Sequence, residues 1–251
     1  MRLLRSIAVI AVVIAGWELV CRFAHVSPAI LPPPSQVARK WWEYLASGEL
    51  PRDAVATVFR VTVGFLIGAL LALPLGLWMG AAARAYEIFN PLVQLLRPIP
   101  PIAFIPLSIL WFGLGDPPAF FLIALGAFFP VLMNTIAGVR NVDAIYVRAA
   151  QNLGAGRWTL FFRVLLPGAL PSILAGMRVG IGVAFICVIV AEMIAVNNGL
   201  GYRILEAREY FWSDKIIAGM ITIGVIGLCI DFGMALLNSR LLRWHRGLEH
   251  A

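Results

Sequence analysis

Charged residues are scarce in this chain of 251 amino acids: Asp, Glu, Lys and Arg make up 13% of it, whereas apolar residues make up 61%. In a soluble domain roughly a quarter of the residues are charged, so this composition excludes an ordinary soluble protein and indicates lipid as the main surroundings. The net charge is nevertheless +7. No basic stripe interleaved with aromatic residues accompanies that excess, which argues against a nucleic-acid-binding protein and favours arginines at the ends of membrane spans.

Cysteine and histidine are also few, with three of each. Their spacings form no CxxC, no HExxH and no cluster typical of metal ligands, so we expect no metal site. The pattern GxxxxGK[ST] is absent, which excludes ATP binding by a P-loop in this chain. The residues concerned are Cys21, Cys187 and Cys229, together with His25, His245 and His250.

Long apolar runs dominate the chain and predict an all-α integral membrane protein of about six spans, because a bilayer core needs roughly 20 apolar helical residues. The first run follows Arg2 and Arg5 as in a signal peptide, but no small-residue cleavage site follows it, so we predict an uncleaved span. The predicted spans are 4–24, 55–82, 89–113, 118–138, 168–195 and 215–239.

A short amphipathic helix is predicted between the first two spans. It would begin at Ser35 as N-cap and end at Gly48, with Trp41, Trp42 and Tyr44 at the membrane interface. The predicted organisation is therefore a first span with an external interfacial helix (1–52), a membrane core (53–240) and a basic cytoplasmic tail (241–251).

Arginine placement predicts that both termini lie in the cytoplasm. With six spans, ten arginines and only three acids fall inside, whereas seven basic residues and six acids fall outside. The inside arginines are Arg2, Arg5, Arg84, Arg140, Arg148, Arg157, Arg163, Arg240, Arg243 and Arg246, and the inside acids are Glu87, Asp143 and Glu249.

A polar module separates spans four and five. Asp143 is a candidate cap for a helix over 144–153 that ends at Gly154, with an apolar ridge formed by Ile145, Ala149 and Leu153. Such a short helix needs something to pack on, either its own protein or a partner. The next stretch, "RWTLFFRVLL", is predicted to lie on the membrane surface and to be broken by Pro167.

This module resembles the signature of the permease subunits of bacterial ATP-binding-cassette (ABC) importers. That signature reads Glu-Ala-Ala, three residues, Gly, nine residues, Ile, one residue, Leu-Pro; here Ala149, Ala150, Gly154, Val164 and Leu166-Pro167 stand at its spacing, and Arg148 replaces the Glu. Permeases for taurine, alkanesulfonates, nitrate and bicarbonate often relax that position. The stretches "ILPPPSQV" and "AEMIAVNNGLGY" are typical of the same branch, and the resemblance covers most of residues 30–240.

The resemblance implies the type I importer permease fold and a coupling helix that docks on a cytoplasmic ABC ATPase. It further implies a homodimer with two ATPase copies, an external solute-binding protein, a small solute as cargo and the bacterial inner membrane as location. ATP and Mg would be bound by the ATPase partner, with no cofactor, catalytic site or nucleic acid for this chain. The implied ATPase-coupling residues are Tyr146, Arg148, Ala149, Ala150, Gln151, Asn152, Leu153, Gly154 and Ala155.

Candidate pathway residues cluster at a predicted helix break in span three. Pro98, Pro100 and Pro101 remove backbone donors, and irregular backbone at membrane depth persists only where it is buried or lines a wet cavity. Arg97, beside the break, is a candidate cation for an anionic solute. The alternative is that Arg97 lies near the cytoplasmic end of the span and reaches the lipid headgroups.

Glu192 and Asn197, near the outer end of span five, are the other pathway or gate candidates; a structural pairing of Glu192 is the alternative. Arg60, Arg178 and Asp231 are predicted to be packing or helix-end charges.

The main competing function is a self-contained secondary transporter, which usually has more spans and an internal repeat. A membrane enzyme is a third hypothesis, but no catalytic constellation is visible.

Overall fold

The computed structural model describes residues 2–23 and 27–242, apart from the side chains of residues 2–7, and every regular element in these ranges is helical. The predicted all-α class is therefore confirmed. The α-helices are α1 (Arg2–Phe23), α2 (Pro34–Ala46), α3 (Glu49–Ala81), α4 (Ala83–Leu96), α5 (Ile105–Phe112), α6 (Asp116–Arg140), α7 (Ala144–Asn152), α8 (Arg157–Leu160), α9 (Leu166–Ala195), α10 (Leu200–Glu209) and α11 (Ser213–Leu241). A 3₁₀ turn occupies Pro101–Phe104 and a π-helical turn occupies Phe161–Leu165.

Five of the six predicted spans correspond to a helix or a bent helix pair that is long and apolar enough to cross a bilayer. Four helical runs of the described chain are long and apolar enough to cross a bilayer: Glu49–Ala81, Asp116–Arg140, Arg157–Ala195 and Ser213–Leu241. A bent pair, Ala83–Leu96 with Pro101–Phe112, passes the same test as one broken span. The predicted first span coincides with the 22 residues of α1 and stays a prediction, because the side chains of residues 2–7 lie outside the description.

Several residues used above also lie outside the described ranges. They are His25, His245, His250, Arg243, Arg246 and Glu249, with most of the predicted tail 241–251, and the side chains of Arg2 and Arg5 are likewise not described.

The predicted break in span three is present. The axes of Ala83–Leu96 and Pro101–Phe112 differ by 80°. Proline lacks the N–H that would continue the hydrogen-bond ladder, and its ring clashes with the preceding turn. Pro98 and Pro100 therefore separate α4 from the 3₁₀ turn, which begins at Pro101.

The predicted break at Pro167 is wrong. Residues Arg157–Ala195 form one helical run that continues through this proline. The π-helical turn ends at Leu165, two residues before Pro167, and the N–H of the following Leu166 donates to the carbonyl of Phe161, five residues earlier. Because a π turn widens the helix and shifts the donor register, a proline can follow it without ending the helix.

The predicted Ser35 cap is also wrong, although α2 exists and Gly48 follows it with φ +79°. The N-cap is Pro33, whose side chain accepts no hydrogen bond. Instead, Glu18 of α1 accepts from the Ser35 N–H (3.1 Å) and the Ser35 hydroxyl (2.9 Å). A carboxylate there complements the positive end of the helix dipole, so a residue from another helix performs the capping.

The chain forms two compact units, Met1–Val58 with Glu192–Ile226, and Phe59–Ala191 with Gly227–Ala251. The predicted segmentation at residues 52 and 240 stays a prediction. In the first unit, a small apolar core contains Tyr44, Leu50 and Leu200. Trp41 packs against this core, and its indole N–H donates to the Thr222 hydroxyl at 2.9 Å.

The core of the second unit is built on the close approach of α3 to α6. The glycines of α3 recur on one face, and a Cβ added at Gly64 or Gly68 would lie within 2.6 Å of Ile123 or Ala124 of α6. Small residues let two backbones approach where lipid supplies no hydrophobic drive between helices. The glycine-rich stretch of α3 is therefore a helix-packing face.

We expect Gly68→Ala to destabilise the protein by about 1–3 kcal/mol, because overpacking a tight contact forces the backbones apart. The added Cβ would lie 2.4 Å from the Ala124 carbonyl oxygen, which cannot rotate away. The matched control is Gly182→Ala in α9, where nothing lies within 4 Å of the new carbon. Thermal unfolding in detergent measures both, and equal melting temperatures for the two variants would contradict the assignment.

Candidate functional sites

The helix between spans four and five ends where the sequence predicts. Asp143 is the N-cap of α7, and its carboxylate accepts from the Ile145 N–H at 2.8 Å. At the other end Gly154 has φ +81°, a left-handed conformation in which a side chain is strained. The chain then turns back, and the Ala155 N–H donates to the Ala150 carbonyl at 3.0 Å.

The apolar ridge of α7 is uncovered. Ile145 is 69% exposed, Tyr146 63% and Leu153 89%, and no residue of α7 is buried. The helix contacts the residues that follow it, in α8 and the π turn, but these contacts do not cover the ridge. Of the other candidates, Arg148, Ala149, Gln151, Asn152 and Gly154 are exposed, whereas Ala150 and Ala155 are half-buried.

The break in span three borders a cleft of about 310 Å³ in the second unit. Arg97, the residue after α4, and Pro101 line it, whereas Pro98 and Pro100 are exposed and do not. One face of α6 supplies much of the remaining wall, including Asn134, which the sequence analysis missed. The signal for Asn134 was a lone amide inside the apolar run of span four.

Glu192 is fully buried in the first unit and accepts hydrogen bonds there. One of its oxygens, Oε2, accepts from the Thr57 hydroxyl at 3.0 Å and from the Gly201 N–H at 2.9 Å. Thr57 in turn accepts from the Leu200 N–H at 3.0 Å. The two backbone donors, Leu200 and Gly201, belong to the first turn of α10, so Glu192 and Thr57 satisfy N–H groups that a helix start leaves unpaired.

Asp53 completes this cap. Its Oδ1 accepts from the Gly199 N–H at 3.0 Å, and its Oδ2 accepts from the Tyr44 hydroxyl (3.0 Å) and from Arg203 Nε (2.7 Å). Burial and the adjacent Asp53 carboxylate raise the pKa of Tyr44 well above its usual value, so its hydroxyl remains a donor. We call Tyr44, Asp53, Thr57, Glu192 and Arg203 the α10 cap network.

Among these five residues, sequence reasoning named Glu192 as a candidate site residue and Tyr44 only as an interfacial aromatic residue. Thr57, which donates to Glu192, lies 135 positions away from it in sequence. Asn197, predicted with Glu192, is exposed and is not one of the five.

Arg60, Arg178 and Asp231 are paired. Arg60 Nε lies 2.7 Å from Asp116. Arg178 donates to both oxygens of Asp231, each at 2.7 Å, although these two side chains are 47% and 54% exposed. No group of three or more His, Cys, Asp or Glu residues in the described ranges is arranged to hold a metal ion.

Comparison with known proteins agrees with this geometry. Residues 55–243 match the family described as "Binding-protein-dependent transport system inner membrane component". The chain is 37% identical to the taurine transport system permease protein TauC of Escherichia coli K12, over 96% of this chain and 89% of that protein. It is 38% identical to the putative aliphatic sulfonates transport permease protein SsuC of Bacillus subtilis 168, over 95% and 87%.

A solved structure shares the fold. The chain superposes on a chain of the MetNI methionine ABC transporter with a TM-score of 0.68 at 18% identity, covering 76% of this chain and 95% of that one. The helical architecture is thus that of an ABC importer permease. The chain belongs to the family of inner-membrane components of binding-protein-dependent transport systems, and it is a multi-pass membrane protein.

Proposed function

We propose that this chain forms the membrane pathway of an ATP-driven importer for a small anion and that α7 is its coupling helix. The observation that carries the proposal is the uncovered apolar ridge of α7, at the position of the family signature, where Leu153 is 89% exposed. A nine-residue helix is marginal in water, so an exposed ridge on a capped helix fits a surface completed by a partner.

The way in which α7 is held suits the transmission of force. Asp143 fixes its start, and the turn at Gly154 leads through α8 into the helical run that ends at Ala195. Because that run is continuous through Pro167, a displacement of the module moves a transmembrane helix directly. ATP and Mg would be bound by the partner ATPase, and closure of that partner around α7 would be the input.

The assembly that we propose is a homodimer of this chain with two ATPase subunits and an external solute-binding protein, in a bacterial inner membrane with both termini in the cytoplasm. The Arg178–Asp231 pair supports a second copy, since both side chains are about half exposed on helices that cross the bilayer. Charged groups in spans usually face protein or water, because facing lipid is costly.

The solute that we propose is a small oxyanion or sulfonate: taurine, an alkanesulfonate, nitrate or bicarbonate. Two similar proteins are named for taurine and for aliphatic sulfonates. The pathway candidates are Arg97 with the prolines at the break, and Glu192 with Asn197 at an outer gate, where Glu192 acts by holding the start of α10. Arg148 in place of the signature Glu removes the salt bridge that a Glu could make with the ATPase.

Reconstitution tests this function. The chain, the cognate ATPase and the binding protein would be purified together and placed in liposomes with labelled taurine, nitrate or bicarbonate outside. We expect uptake that requires both ATP inside and the binding protein outside. Uptake by the chain without the ATPase, driven by an ion gradient, would contradict the proposal and identify a secondary transporter.

A further inference from the structure

The cleft beside the span-three break has a composition typical of a small-molecule site. Its volume of about 310 Å³ is at the lower end of the range for ligand pockets, which suits a solute of few atoms. Its walls come from the end of α4, the 3₁₀ turn, α6 and α9, and they are apolar apart from two side chains. Those two side chains are Arg97 and Asn134.

The charge of Arg97 is not neutralised within its unit. Of the described carboxylates there, Asp116 pairs with Arg60, Asp231 pairs with Arg178, and Asp143 caps α7. The remaining carboxylate, Glu87, is exposed and lies ten residues before Arg97. Ten residues of helix correspond to a rise of about 15 Å between the two residues. A guanidinium in a largely apolar cleft is therefore available to an anion from outside the chain.

Asn134 is held in place on a rigid wall. Its side-chain amide donates to the Pro130 carbonyl at 2.8 Å, which leaves its second N–H and its carbonyl oxygen for other partners. Gly176 of α9 packs against it so closely that an added Cβ would lie 2.5 Å from the Asn134 Cβ. Because α6 and α9 cannot shift easily here, this polar group is fixed relative to the cleft.

We propose that this cleft is a binding station for the anionic group of the transported solute. The guanidinium of Arg97 pairs with the oxyanion, the free N–H of Asn134 donates to it, and Phe129 and Met133 border the rest of the molecule. One fixed cation and one neutral donor match a singly charged head. The inference rests on the proposed function, since it assigns where the imported anion stops on its way through the membrane.

A lipid phosphate is a second source of the same oxyanion chemistry, because Arg97 is exposed and follows the last residue of α4. An arginine that binds a lipid headgroup anchors the helix, so it affects the uptake of all solutes equally. An arginine that binds the solute makes uptake depend on the charge in the cleft and is shielded when the solute is present. These two consequences separate the sources.

The first test compares Arg97→Gln, Arg97→Lys and Asn134→Asp in the reconstituted complex. We expect Arg97→Gln to lower kcat/KM for taurine, nitrate or bicarbonate uptake by about tenfold, the size of a lost charge-assisted hydrogen bond. Arg97→Lys should retain most of the activity. Asn134→Asp should be as poor as Arg97→Gln, because the new carboxylate pairs with Arg97. The matched control is Arg84→Gln, at an exposed arginine of α4, the helix that Arg97 follows.

The second test is thiol labelling of Arg97→Cys in a chain whose exposed Cys229 is replaced by serine; Cys21 and Cys187 are buried. Taurine, nitrate or bicarbonate should slow the reaction with a methanethiosulfonate reagent, and attachment of a cationic reagent should restore uptake where a neutral one does not. A labelling rate that responds to the anionic lipid content of the liposomes and not to the solute would overturn the site.

Failure of the site and failure of the function look different. If the wild-type complex takes up none of the three anions, the proposed function fails. If it takes one up and Arg97→Gln reduces that uptake no more than Arg84→Gln does, the function stands and the site is overturned.

Discussion

Leu153→Asp is expected to reduce ATP-driven uptake by at least about 30-fold while the chain still inserts and dimerises. Leu153 is 89% exposed, so within the described chain the substitution removes no packing. If the ATPase covers the ridge, the same change removes a buried leucine and places an unpaired charge in an interface. Loss of a central contact of this kind typically costs about 2 kcal/mol or more, which corresponds to about 30-fold.

The control for Leu153→Asp is Ala144→Asp. Residue 144 lies at the start of the same helix, is exposed and is on the side opposite Leu153, at 100° per residue. An acidic residue in the first helical turn is also favourable to the helix dipole. We expect near-wild-type co-purification with the ATPase for Ala144→Asp and loss of co-purification for Leu153→Asp. Equal retention of the ATPase by both would show that the ridge is not the docking surface.

Much of the α7 module could be predicted from the sequence because every determinant is local. Asp143 precedes the helix that it caps, Gly154 follows the end, and the ridge repeats at helical spacing within ten residues. The break in span three is predictable for the same reason, since a proline acts on its own turn. The glycine face of α3 was also visible, because small residues spaced by four positions have few other roles in a span.

The two wrong predictions arose where a distant or preceding element changed the outcome. Pro167 ends no helix, because the π turn before it shifts the hydrogen-bond register and the helix continues without an N–H from this proline. Nothing in the sequence "FFRVL" predicts such a turn. Ser35 caps no helix, because Glu18, 17 residues earlier, occupies that position. Glu18, a carboxylate inside an apolar run, therefore indicated a hydrogen-bond donor elsewhere in the chain. The sequence alone does not identify that donor.

The α10 cap network could not be predicted from the sequence, because its members are distant from one another along the chain. Asp53 and Thr57 read as ordinary residues at the start of span two, and only the folded chain brings them to the backbone of residues 199–201. Buried carboxylates need hydrogen-bond donors, so Glu192 predicted that a cluster exists. The identity of its members depended on tertiary structure.

The charge of Arg203 is stabilised by this network. Burial acts against its charge, but the hydrogen bonds to Asp53 and Glu206 raise its pKa.

Glu192→Leu is expected to lower the stability of the folded chain by about 2–6 kcal/mol. The substitution leaves the Thr57 hydroxyl and the Gly201 N–H without their acceptor in a site where Glu192 is fully buried, and each such orphan costs about 1–3 kcal/mol. Glu192→Gln keeps an oxygen acceptor and should lose much less. Fluorescence-detected size-exclusion chromatography after heating gives the melting temperature of each variant.

The same substitution at an exposed site of α10, Glu209→Leu, is the control and should melt like the wild type. The Gln variant also decides how Glu192 takes part in transport. If Glu192 acts by positioning α10, the folded Glu192→Gln complex should take up solute at nearly the wild-type rate per molecule, and uptake should track the folded fraction across the variants. If its charge closes an outer gate, the folded complex should instead hydrolyse ATP without the binding protein. Because Glu192 accepts from the Thr57 hydroxyl of α3 and from the Gly201 N–H at the start of α10, we expect the first result.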